Sequence, residues 1–165
     1  MLSRLQRLSI KADGRYARDG ELQFIEDYVR SWSNRVFAYD QLRESTPDLV
    51  EMVYERLLKQ NPQFFQRGGQ DYTSKWRTDT LRVMRFAAMA MLYDDVELYK
   101  EKFLYWFQTL MMAFASQDNC NQTYALMQEV VREKLPTPVS TLFCPVLEET
   151  RSILGQIPTR DKNFA

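Results

Sequence analysis

From Asp19 onward, apolar residues recur every three or four positions in stretch after stretch, and that spacing admits little but α-helix. The first stripe is Leu22, Ile25, Tyr28, Val29, Trp32, Val36, Tyr39 and Leu42. Ser45-Thr46-Pro47-Asp48 then offers a capping residue, a proline and an acid in the order of a helix start, which predicts a second helix from there. It runs through Leu49, Met52, Val53, Leu57 and Leu58 and ends near Asn61-Pro62, because a residue before proline is pushed out of the helical region. Gln66-Arg67-Gly68-Gly69-Gln70 reads as a loop, and helical spacing returns from about Thr73 to Tyr93. Asp94-Asp95 can cap a fourth helix reaching Phe114, and Asn119 to Asn121 a fifth through Tyr124, Met127, Val130 and Val131. Leu135-Pro136-Thr137-Pro138 breaks it, and a sixth ends near Gly155. With only 5 Gly and 6 Pro in 165 residues, and no period-two run, the fold class expected is all-α in one domain. Ahead of the main bundle, Leu2, Leu5, Leu8 and Ile10 also have helical spacing and stop at Asp13-Gly14. That short helix has no evident place to fold back on, so it is expected to pack on a partner.

What the sequence lacks removes most function classes. Lys and Arg number 22, as do Asp and Glu, so there is no net positive field to draw nucleic acid or anionic lipid. The most apolar run, Phe86 to Tyr93, is far below the ~20 residues of a membrane span. The first residues, MLSRLQRLSIKADGR, have no uninterrupted apolar core and do not read as a secretory signal, so a cytoplasmic location is expected. With 0 His there is no imidazole base, no Cys-His pair and no imidazole metal ligand. The two cysteines, Cys120 and Cys144, make neither a disulfide framework nor a zinc site. The acid pairs Glu26-Asp27, Asp94-Asp95 and Glu148-Glu149 are adjacent, so on helices their members point apart. No phosphate loop, dinucleotide fingerprint or nucleophile elbow is present. A binding protein is expected rather than an enzyme.

Polar and aromatic groups converge between Tyr72 and Arg82. On a helix Lys75, Asp79 and Arg82 share a face, with Trp76 and Thr80 beside them. One reading is an exposed Lys75–Asp79 pair with Trp76 anchoring the core. The other is a carboxylate and cations framed by aromatic surface, suited to a flat ligand carrying both N–H donors and carboxylates.

The order of segments adds to this. ADGRY lies before a long first helix, GGQDYTSKWRTD leads into LRVMRFAAMAML, then come Tyr-Ala-Leu-Met-Gln-Glu-Val-Val and Leu-Phe-Cys-Pro-Val-Leu-Glu-Glu. Over about residues 5 to 155 the chain resembles the phycobiliproteins, the globin-fold subunits of cyanobacterial light-harvesting antennae, and more closely their cysteine-poor relatives, the bilin biosynthesis-associated globins. The resemblance implies an N-terminal helical extension (1–14) that mediates pairing, a globin-like domain (15–156) and a C-terminal tail (157–165). In the family's Cys-x-Arg-Asp motif the cysteine is bonded to the bilin, the arginine meets a propionate and the aspartate accepts pyrrole N–H bonds. Carried over, Asp79 matches the aspartate, Trp76 stands at the cysteine and Thr78 at the arginine. A noncovalent bilin, phycocyanobilin or biliverdin, is therefore implied, with Lys75, Arg77 and Arg82 as propionate partners and Tyr72, Trp76 and Tyr124 as ring contacts. Cys144 falls near the region where some antenna β-subunits carry a second attachment cysteine, its register open. The implied partners are a linear tetrapyrrole and a second subunit, in a homodimer or a heterodimer formed through the N-terminal helices, with association to the thylakoid surface through an antenna complex. Haem is disfavoured, since the proximal histidine of an ordinary globin is missing.

Overall fold

The computed structural model describes residues 1–156, and the expected tail at 157–165 lies outside them. Helix α1 spans Leu2–Lys11, α2 Asp19–Gln60, α3 Thr73–Tyr93, α4 Val96–Tyr99, α5 Tyr105–Ala113, α6 Gln117–Lys134 and α7 Thr137–Leu154. Strands β1 (Gln66–Arg67) and β2 (Gln70–Asp71) form a small antiparallel hairpin between α2 and α3. The all-α, globin-like expectation holds: α2 packs on α3, α6 on α7, and α7 on both α2 and α3. Their facing stripes supply the core, including Leu42, Leu49, Val53 and Leu57 of α2, Val83, Met84 and Met91 of α3, Met127 and Val131 of α6, and Phe143, Leu147 and Leu154 of α7. Gly155 is needed where α6 and α7 meet, because a Cβ there would lie 2.8 Å from Arg151 O and 3.0 Å from Asn121 Cβ.

Three expectations are corrected. The helices expected on either side of Ser45–Asp48 are one, a 42-residue α2 about 63 Å long with Pro47 inside it. Leu42 and Leu49 lie two turns apart on one face and are 0% and 1% exposed, so the core demands a continuous helix across the proline. Burying each such side chain contributes about 1.5–3 kcal/mol, which together outweighs the ~3 kcal/mol that an interior proline costs. Thr46 adds a hydroxyl bond to Leu42 O at 2.6 Å. We expect Pro47→Ala to stabilise the protein by about 1–3 kcal/mol by restoring an amide donor to the Arg43 carbonyl. An unchanged midpoint in urea would show that this carbonyl is satisfied by other means.

The fifth helix begins before the asparagines expected to cap it. Ala115 turns the chain at φ 45° and α6 starts at Gln117. Asn119 instead donates to Phe64 O (3.2 Å) and Asn121 accepts from Arg151 (2.5 Å), so both serve tertiary contacts.

The N-terminal helix is not without a place in its own chain. The backbone N–H and hydroxyl of Ser3 donate to the two oxygens of Asp95 at 2.6 and 2.8 Å, and Arg4 reaches Asp94 at 3.6 Å. Asp95 also caps α4 through Leu98 N (3.1 Å), as anticipated. No residue of α1 is buried, however, and neither is any α2 residue before Ala38. Val29 and Trp32 of the first stripe are exposed, as is the neighbouring Phe37.

Candidate functional site

Between the hairpin, α3 and the α5–α6 corner lies a cavity of about 580 Å³, within the roughly 300–1,000 Å³ range of small-molecule sites. The two-residue turn at Gly68 (φ 55°) and Gly69 (φ 78°) closes the hairpin, since both residues need the left-handed conformation that glycine adopts at little cost. The turn brings Arg67 and Tyr72 to the rim. Helix α3 presents Lys75, Trp76, Asp79 and Thr80, whose spacing selects one side of the helix. Phe64, Phe65, Phe107, Met111 and Tyr124 supply apolar wall.

The polar groups are few. Trp76 donates its indole N–H to Thr123 Oγ1 at 3.1 Å, with its ring 5.1 Å from Phe65 and 6.2 Å from Tyr54. Asp79, its side chain 17% exposed, receives Lys75 Nζ on Oδ2 at 2.8 Å. Among the described residues nothing donates to its Oδ1. Lys75 is 61% exposed, so the pair contributes well under 1 kcal/mol, and a ligand cation could displace the ammonium at little cost. Tyr124 is wholly enclosed, and burial pushes its phenol well above the ordinary range.

Of the residues named from sequence, the cavity thus gathers Asp79, Lys75, Trp76, Tyr72 and Tyr124. Arg77 and Arg82 are corrected: neither lines it. Arg77 turns to α2, forking onto Glu51 (2.5 and 2.9 Å) and lying over the Tyr54 ring at 4.0 Å. Arg82 is exposed beyond the wall. Cys144 is also removed, being buried against α6 with its thiol directed to Gln128 O.

Two lining residues lacked a sequence signal. In the sequence Arg67 is part of a loop ahead of the Gly-Gly turn, with nothing to mark its placement. Cys120 sits on the cavity wall, but burial first and the Asp79 carboxylate second push its thiol up to about 12. In the unfolded chain it would ionise near ~8.5. Its contribution to stability is therefore complete below about pH 8.5 and is lost as pH rises from there toward 12. We expect iodoacetamide at pH 8 to leave Cys120 and Cys144 unmodified until urea unfolds the chain; rapid native-state alkylation of Cys120 would contradict this.

The Cys-x-Arg-Asp pattern can be laid on α3 ending at Asp79 or, with Arg82 as its arginine, with Thr80 at the cysteine and Val83 at the aspartate. Neither register puts a thiol on α3. Val83 is wholly in the core, so Asp79 is the acid that α3 brings to the cavity.

A family model for phycobilisome proteins matches residues 8–154. Similar proteins include the allophycocyanin alpha-B chain of Pyropia yezoensis, 28% identical over 83 residues, which cover 49% of this chain and 52% of that one. The allophycocyanin alpha-B chain of a Synechococcus species is 27% identical over 99 residues (56% and 61%). The C-phycocyanin-3 beta subunit of Microchaete diplosiphon is 24% identical over 97 residues (56% of each). The chain spans about half to three-fifths of the length of the relatives it matches. No helix among the described residues is long and apolar enough to cross a membrane.

Proposed function

The chain belongs to the phycobilisome protein family, and from that premise we propose that it is a noncovalent bilin-binding globin, allied to the bilin biosynthesis-associated group, that carries, buffers or senses a linear tetrapyrrole without transforming it. The observation that carries the reading is Asp79, a carboxylate with a free oxygen on the wall of an aromatic-lined cavity of tetrapyrrole scale. A protonated tetrapyrrole presents adjacent N–H donors to that carboxylate and two propionates to cations. The N–H groups would replace Lys75 on Asp79, and the released ammonium would turn to a propionate. Trp76, Tyr72 and Tyr124 give the conjugated plane its walls. A pigment held without a thioether is supported by the absence of any thiol on α3 and by the burial of Cys120 on the cavity wall.

Absorption titration with biliverdin or phycocyanobilin tests the reading. The wild type should narrow and red-shift the pigment's long-wavelength band; an unaltered spectrum at micromolar protein would sink it.

A second reading is favoured by a different observation, the exposed apolar stripe from Val29 to Phe37 beside the unburied α1. It makes the chain an interaction subunit that pairs with itself or with an antenna component through these helices, in an assembly held at the thylakoid surface. Deleting residues 1–14 should then convert a dimer to a monomer in light scattering. A wild-type monomer would exclude self-pairing, and a truncated dimer would exclude the helical extension from the interface.

A further inference from the structure

We propose that Arg67 selects carboxylate-bearing ligands at the mouth of the cavity, an inference that rests on the bilin reading and assigns one propionate its partner. Arg67 is held on the hairpin by its pairing with Gln70 across the Gly-Gly turn, and the hairpin is joined to α3 through the bond from Tyr72 N to Phe65 O (2.9 Å). Its guanidinium spans the rim to the α5–α6 corner, donating through Nη1 to Phe114 O and through Nη2 to Ala115 O at 3.3 Å.

What distinguishes Arg67 is the charge of those acceptors. Arg77, Arg56 and Arg151 each hold a carboxylate within 2.5 Å, whereas among the described residues no carboxylate lies within ion-pair distance of Arg67. Its partners are two neutral carbonyls, which occupy one edge of the group. A guanidinium has five N–H donors, so a second edge remains for an anion without loss of the bonds that fix its place. The cation is therefore both preorganised and uncompensated. The other cation on the wall, Lys75, starts out paired with Asp79, and Asp118 is occupied by Gln122 at 2.7 Å. A ligand with two carboxylates and a cationic N–H cluster finds a partner for each: Asp79 for the N–H groups, the released Lys75 for one carboxylate and Arg67 for the other.

Biliverdin and its dimethyl ester separate this role from pigment binding itself. The wild type should bind the diacid at least roughly tenfold more tightly than the diester, the scale of one or two charge-assisted hydrogen bonds. In Arg67→Gln the affinity for the diester should stay as it was while the preference for the diacid falls by roughly tenfold. Because that preference is a ratio within one protein, a partly unfolded variant does not mimic the result. An unchanged ratio in Arg67→Gln would overturn the assignment of Arg67 and leave the bilin reading standing. Failure of the wild type to bind either pigment would overturn both.

Discussion

Asp79→Asn is expected to weaken bilin binding roughly a hundredfold and to return the bound pigment's band to the broad form of the free one. The amide keeps the shape of the side chain but removes its charge and aims an N–H at the pigment's own donors. Two charge-assisted hydrogen bonds at about 1.5 kcal/mol each amount to about 3 kcal/mol, and each 1.4 kcal/mol is tenfold in affinity. The surface pair lost with Lys75 is worth little, so the melting temperature should scarcely move. A variant that binds as the wild type does would remove Asp79 from the site.

Trp76→Ala should destabilise the protein strongly and weaken pigment binding at once. The indole packs against Phe65 and Tyr54 and gives its N–H to Thr123, which is 2% exposed and would keep an unpartnered hydroxyl oxygen. Truncating a large aromatic in such a position costs about 3 kcal/mol. Trp76→Phe retains most of the packing and should cost about 1 kcal/mol, the value of the hydrogen bond. Both figures are read from urea midpoints at constant slope. The alanine variant should also lose more than tenfold in pigment affinity, since one wall of the cavity is gone. A cost below 1 kcal/mol for alanine would show that the wall is held by other residues.

The helices legible in the sequence are those whose ends carry local chemistry. Thr73–Tyr93 follows a Gly-Gly turn, and α2 stops at Asn61, which takes the extended φ −145° and ψ 100° ahead of Pro62. Pro47 misleads because the proline rule is local, whereas the demand for continuity comes from Leu42 and Leu49 meeting a core that the sequence does not display. In the site, helical spacing identifies Lys75, Trp76 and Asp79 together. Arg77, named through the family resemblance, is two residues from Asp79 and hence about 200° around the helix, at 100° per residue, so it faces Glu51 of α2 instead. Arg82 has nearly the right angle but is exposed and does not line the cavity, which α3 leaves after Thr80. Arg67 is the converse case, a loop residue in sequence whose function comes from the carbonyls of Phe114 and Ala115, 47 and 48 positions away.

The central claim is a pigment held in the cavity by hydrogen bonds and packing alone, and the distribution of pigment on size-exclusion chromatography tests it most directly. Wild-type protein mixed with biliverdin or phycocyanobilin should co-elute with a red-shifted band under native conditions. In acidic urea all colour should move to the small-molecule fraction, leaving the protein with the mass of its sequence. Colour absent from the native protein peak, or pigment that stays with the unfolded chain, would contradict the account.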